Sequence, residues 1–112
     1  MFLLTGAEKV FKKPMPMNLA YALAKTNVHF LAMSMAMRKD LVKESDVICV
    51  LPTTLDTKQN RKSYPKVDPK KWLQPSSLAG LIKMWADGSN RPSNGSLAII
   101  ESQNGAAVTK FV

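Results

Sequence analysis

Val47-Ile48-Cys49-Val50-Leu51 is an unbroken apolar run, β-branched at Val47, Ile48 and Val50 and halted by Pro52. With no polar alternation it reads as a strand covered on both faces, the habit of parallel sheets. Upstream, Phe2-Leu3-Leu4-Thr5 is a shorter run of the same kind, ended by Gly6. Between the two, Pro14 and Pro16 break the chain and Asn18 offers an N-cap. Residues 19–42 then contain no Gly or Pro and many Ala, Leu and Met, which predicts one long helix. Its apolar residues, among them Leu19, Leu23, Val28, Leu31 and Met35, cover more than one stripe, so the helix is expected to be covered on more than one side. Strand, helix and strand with a crossover of this length form a βαβ unit, right-handed almost without exception.

The pattern then repeats. Leu78, Leu81, Ile82 and Trp85 stand at i, i+3, i+4 and i+7, behind Ser76 or Ser77 as cap and ahead of Gly88, and predict a second helix. Ser96-Leu97-Ala98-Ile99-Ile100 reads as a third strand, and Asn104-Gly105 marks a tight turn into a last strand over 107–111. The expected architecture is α/β: βαβαβ plus a terminal extension, half of a doubly wound sheet. The connection over 53–75 carries no periodic pattern. It begins at the carboxyl end of a parallel strand, where ligands of open α/β sheets sit, so residues 52–56 are expected to line a crevice and 53–75 to act as a loop or lid.

Composition narrows the function classes. The chain has 112 residues, 46% hydrophobic, with a formal charge of +8. That suits one small domain with a single core and excludes a disordered tail. A lone cysteine, Cys49, rules out a disulfide framework or a multi-thiolate metal cage and fits a reducing compartment, so a cytoplasmic address is expected. The first residues lack a basic leader, and no apolar stretch is long enough to span a bilayer; no membrane association is expected. Basic charge invites nucleic acid. However, the densest cluster, Lys58, Arg61, Lys62, Lys66, Lys70 and Lys71, lies in a Pro-containing stretch with few aromatics to stack bases. A solvated loop is the first reading of it, an anionic small ligand the second, and no nucleic-acid partner is expected.

The residues suited to chemistry stand near the start of the long helix. Tyr21 and Lys25, four apart, share one helix face, so a phenol that can give a proton sits one turn from a cation that favours its phenolate. Tyr21-Ala22-Leu23-Ala24-Lys25 resembles the Tyr-x-x-x-Lys signature of the short-chain dehydrogenase/reductase family. Leu51-Pro52-Thr53-Thr54-Leu55-Asp56-Thr57, Asn60-Arg61-Lys62-Ser63 and Asn90-Arg91-Pro92-Ser93-Asn94-Gly95-Ser96-Leu97 are similar in content and spacing to the C-terminal half of that family's dihydropteridine reductase branch. The resemblance runs from Leu3 to about Glu101. It implies that 1–112 is a single partial Rossmann-like domain. It further implies NADH-dependent, or NADPH-dependent, reduction of quinonoid dihydropterin to tetrahydropterin, with Tyr21 and Lys25 as catalytic residues. In the same terms, Lys25, Pro52, Thr53 and Thr57 would bind the cofactor, and the enzyme would form a homodimer.

Departures from the family pattern qualify this. Thr53 follows Pro52 where the family has Gly, and Glu8 stands where its catalytic Ser is expected, both departures that the resemblance assigns to the dihydropteridine reductase branch as well. None of Gly6, Gly80, Gly88, Gly95 and Gly105 forms the Gly-rich turn that lets backbone amides hold a pyrophosphate. The N-terminal cofactor-binding half is thus expected to be missing, as in a shortened product, leaving a strand edge and apolar helix surface uncovered. The competing expectation is a non-enzymatic homologue that forms mixed dimers with a full-length reductase and modulates it. Cys49, His29, Trp72, Trp85 and the methionines (Met15, Met17, Met33, Met35 and Met37) read as packing residues, with pterin stacking a minor alternative for Trp72. Arg61 and Lys62 read as mainly solvated.

Overall fold

A computed structural model describes residues 1–40 and 43–112. Three apolar runs form the parallel strands β1 (Phe2–Thr5), β2 (Val47–Pro52) and β3 (Ser96–Gln103), and β4 (Ala106–Phe111) joins antiparallel, giving one sheet in the order β1-β2-β3-β4. The β3–β4 hairpin turns on Asn104 and Gly105, both left-handed with φ 51° and 83°, which is why these two residue types stand there. The α/β reading therefore holds.

Alternation along β2 sends its side chains to two cores. Val47, Cys49 and Leu51 pack with Leu97, Ile99 and Ala32 of α2 (Leu19–Met37). Ile48 and Val50 face the other way, onto Leu73, Ala98, Ile100 and Trp85 of α4 (Pro75–Ala86). The helices thus cover opposite faces, while β1, β2 and β3 step across the sheet in a single direction. Two such crossovers on opposite faces have opposite hands, so one of them breaks the right-handed rule that the sequence suggested for both. The connection between β2 and α4 is long enough to carry the chain over the strand ends to the far face.

Other expectations need correcting. The long helix stops at Met37 rather than continuing to 42, and residues 41 and 42 lie outside the described part. Asn18 holds its N-cap position without a side-chain cap bond. The helix is covered on one side only: Leu19, Leu23, Phe30 and Met37 are 71%, 65%, 69% and 85% exposed. Of the methionines, Met35 packs on the sheet while Met17, Met33 and Met37 are exposed. A short helix α1 (Glu8–Lys12) follows β1, and the supposed loop over 53–75 contains α3 (Lys58–Ser63) and a 3₁₀ turn at Pro69–Lys71. Pro75 opens α4 behind Gln74, so neither Ser76 nor Ser77 caps it; the Ser77 hydroxyl instead donates to the Gly105 carbonyl.

The Asn90–Leu97 motif works at the end of the sheet where β2 and β3 begin. Asn94 accepts the Val47 amide and donates to the Ala36 carbonyl, tying β2 to α2. Arg91 donates to the Trp85 and Ala86 carbonyls at the end of α4 and pairs with Asp46. These residues are a clamp at the edge opposite the carboxyl ends of β1 and β2.

Candidate active site

At the carboxyl ends of β1 and β2 the chain leaves a cleft of about 420 Å³. Its walls come from the β1–α1 turn with α1, the start of α2 and the turn before it, the end of β2 with the residues after it, and α3 with the residue after it. Tyr21 and Lys25 both line it, with Lys25 Nζ 6.0 Å from the Tyr21 ring centroid. Tyr21 is 40% exposed and lies on the cleft wall.

Two residues one helical turn apart fix this corner. Lys25 Nζ donates to the Thr5 carbonyl at 2.8 Å, and His29 Nε2 accepts the Ala7 amide at 3.0 Å. His29 is buried, and Phe11 stacks edge-on against it at 6.0 Å. Burial, then the nearby Lys25 charge, pushes the imidazole below its ordinary pKa, which keeps Nε2 free to accept. The histidine is thus a packed residue, as expected, and it also pins the strand end beside Lys25. Gly6 permits the close approach: a Cβ there would lie 2.3 Å from His29 Nε2 and 3.2 Å from Cys49 Sγ. Burial pushes the Cys49 thiol upward, in keeping with a core side chain.

Pro52 and Thr53 line the cleft as expected, and the Thr53 amide extends the β2–β3 ladder to the Ile100 carbonyl at 3.0 Å. Thr57 is outside the residues that line the cleft, and its hydroxyl caps α3 by accepting the Asn60 amide. Asp56 also turns away. The Arg61 guanidinium grips it at 2.6 and 2.8 Å and Gln74 donates to it, holding its pKa at about 2. Arg61, expected to be mainly solvated, is thereby engaged in an exposed but bidentate pair.

The connection over 53–75 is fastened across its width. Leu55 bridges Leu73, with the Leu73 amide donating to Thr54 and the Asp56 amide to Leu73. Three wall residues escaped the sequence reading: Ala7, Lys9 and Tyr64. Lys9 and Tyr64 belong to segments too polar to show periodicity, and only tertiary structure brings them together.

Among the described residues the charged groups lining the cleft are Lys9 and Lys25, with no carboxylate, so it is electropositive. The groups present suit the nicotinamide-ribose end of a dinucleotide: a phenol, an ammonium and backbone polar groups at a strand end. They do not supply a pyrophosphate cradle, since the Ala7 amide is already given to His29 and Glu8 stands at the start of α1. Among the described residues no cluster of side chains could hold a metal ion, and no helix is long and apolar enough to cross a membrane.

No family model matches the chain. It is 32% identical over 106 residues to a dihydropteridine reductase of Dictyostelium discoideum, an alignment covering 93% of this chain and 46% of that protein. A short-chain dehydrogenase from Salmonella enterica serovar Typhi has a similar fold, with TM-score 0.68 and 20% identity over 87% of this chain and 39% of its own. An oxidoreductase of E. coli is similar at TM-score 0.67 and 18% identity, covering 87% and 38%. The chain spans about half the length of the curated relative it matches, and less of the two solved structures.

Proposed function

For a chain that is a relative of the short-chain dehydrogenases/reductases, we propose the role of the proton-donating part of a dihydropteridine-reductase-like oxidoreductase. The observation that carries this reading is Tyr21 and Lys25 sharing one cleft at the carboxyl ends of parallel strands, with Lys25 tethered to the Thr5 carbonyl. The substrate is quinonoid dihydropterin and the cofactor NADH, with NADPH the alternative. Lys25, Pro52 and Thr53 hold the nicotinamide-ribose end. A reduced nicotinamide supplies the hydride when bound. The Tyr21 hydroxyl gives its proton to a ring nitrogen as the hydride arrives, completing the tetrahydropterin. The Lys25 ammonium, fixed from behind, orients a ribose hydroxyl and faces the oxygen that has lost its proton. The connection over 53–75 closes the cleft from above as a lid, and the protein works in the cytoplasm.

The apolar outer side of α2 favours a second reading, in which the chain is no enzyme but pairs with a full-length reductase and modulates it. Reduction of quinonoid dihydropterin is measured with the chain alone and then with the chain added to full-length reductase. NADH-dependent turnover by the chain alone supports the first reading. Absence of turnover together with dose-dependent inhibition of the full-length enzyme replaces it with the second.

A further inference from the structure

The cleft contains a second tyrosine–lysine pair that the proton-transfer reading leaves idle. Tyr64 follows α3, its amide donating to the Asn60 carbonyl and its carbonyl accepting the Val67 amide, so its backbone is fixed. Its ring meets that of Trp72, which is buried, in a T-shaped contact with centroids 6.5 Å apart at 79°. Lys9, projecting from α1 on the other wall, places its ammonium 5.3 Å from the Tyr64 ring centroid. Both side chains are exposed and both line the cleft. Trp72 therefore braces the phenol ring, and a face of that ring is taken by a cation in the cleft. An ammonium over an exposed ring is weakly held and easily displaced.

We infer that Tyr64 and Lys9 form the ring-binding end of the site. Tyr64 stacks on a flat, conjugated heterocycle, and Lys9, swung off the ring face, donates to that heterocycle's carbonyl oxygen. The inference rests on the pterin-reductase reading and adds the residues that select a planar keto-bearing ring. Stacking on an aromatic face discriminates by flatness, and a displaced ammonium with no carboxylate in the cleft discriminates by the carbonyl. Tyr21 then meets the edge of a ring already held at its far side. Trp72, raised from sequence as a stacking candidate, serves as the support and Tyr64 as the platform.

The test is a fluorescence titration of the 112-residue chain with pterin, the stable, fully oxidised flat ring. Tyr64→Leu is expected to weaken binding roughly tenfold, Tyr64→Phe to stay within about twofold, and Lys9→Met to weaken it several-fold. Wild-type binding with an unchanged constant in Tyr64→Leu overturns this inference and leaves the reductase reading in place. Absence of saturable binding by the wild-type chain overturns both. Should Tyr64→Leu fail to fold, Lys9→Met decides alone: a several-fold loss supports the pair, and an unchanged constant overturns it.

Discussion

The helices on the two faces of the sheet complete their packing differently. α4 lays Leu78, Leu81, Met84 and Trp85 on the sheet and leaves Lys83 and Asp87 paired in solvent. α2 turns Val28, Ala32, Met35 and Ala36 inward but leaves Leu23 and Phe30 exposed on its outer side. The α4 layer is finished within the chain. The α2 layer is finished only where it meets the sheet and the cleft, and there its side chains are spent on fixing a strand end. One layer supplies stability; the other supplies the site.

The contrast breaks most readily at Trp85. Trp85→Ala is expected to remove about 3–5 kcal/mol, a large share of a small domain's stability, read from the urea midpoint. A loss below about 1 kcal/mol would mean that the α4 layer is not the anchor. The two glycines that face different layers come next. Gly6→Ala drives a methyl group into His29 and is expected to destabilise by about 1–3 kcal/mol. Gly80→Ala, in the middle of α4 with nothing within 4 Å, should stabilise by about 0.5–1 kcal/mol. Similar values for the two would dissolve the distinction.

A titration isolates the hold of His29 on Ala7. His29 has a depressed pKa in the fold, so its contribution is complete above the unfolded value of about 6.5 and is lost as pH falls below it, because the unfolded chain then binds the proton more readily. The melting temperature should therefore decline from about pH 6.5 downward, and His29→Leu, less stable throughout, should flatten that slope. Asp56 titrates in a separate window: held at about 2, its contribution persists until pH approaches 4 and goes as pH falls through about 2. The smallest effect belongs to the outer side of α2. Leu23→Gln and Phe30→Gln should each shift stability by less than about 0.5 kcal/mol, since neither side chain is covered within the chain. A larger, concentration-dependent loss would show that this side is covered by another subunit in solution.

What could be read in advance follows the same division. β1 and the start of β2 were legible because an apolar run has one use in a parallel sheet, and the Asn104-Gly105 turn because its backbone demands those residues. α1 and α3 were not, being short and charged, with no periodicity to detect. Tyr21 and Lys25 were legible as neighbours from their spacing. The hold of His29 on Ala7 was not, because it joins residues 22 apart in sequence and depends on Gly6 lacking a side chain. Thr57 carried two signals: its place in a family-like segment suggested a cofactor contact, and its position three residues before Asn60 described the helix cap that the structure shows.

The central claim is that the Tyr21 hydroxyl delivers the proton in this cleft. The most direct measurement is the NADH-dependent rate of quinonoid dihydropterin reduction by Tyr21→Phe and by the unchanged chain at equal concentration. The account predicts a fall of roughly 10²–10⁴-fold with pterin binding retained. Equal rates would contradict it.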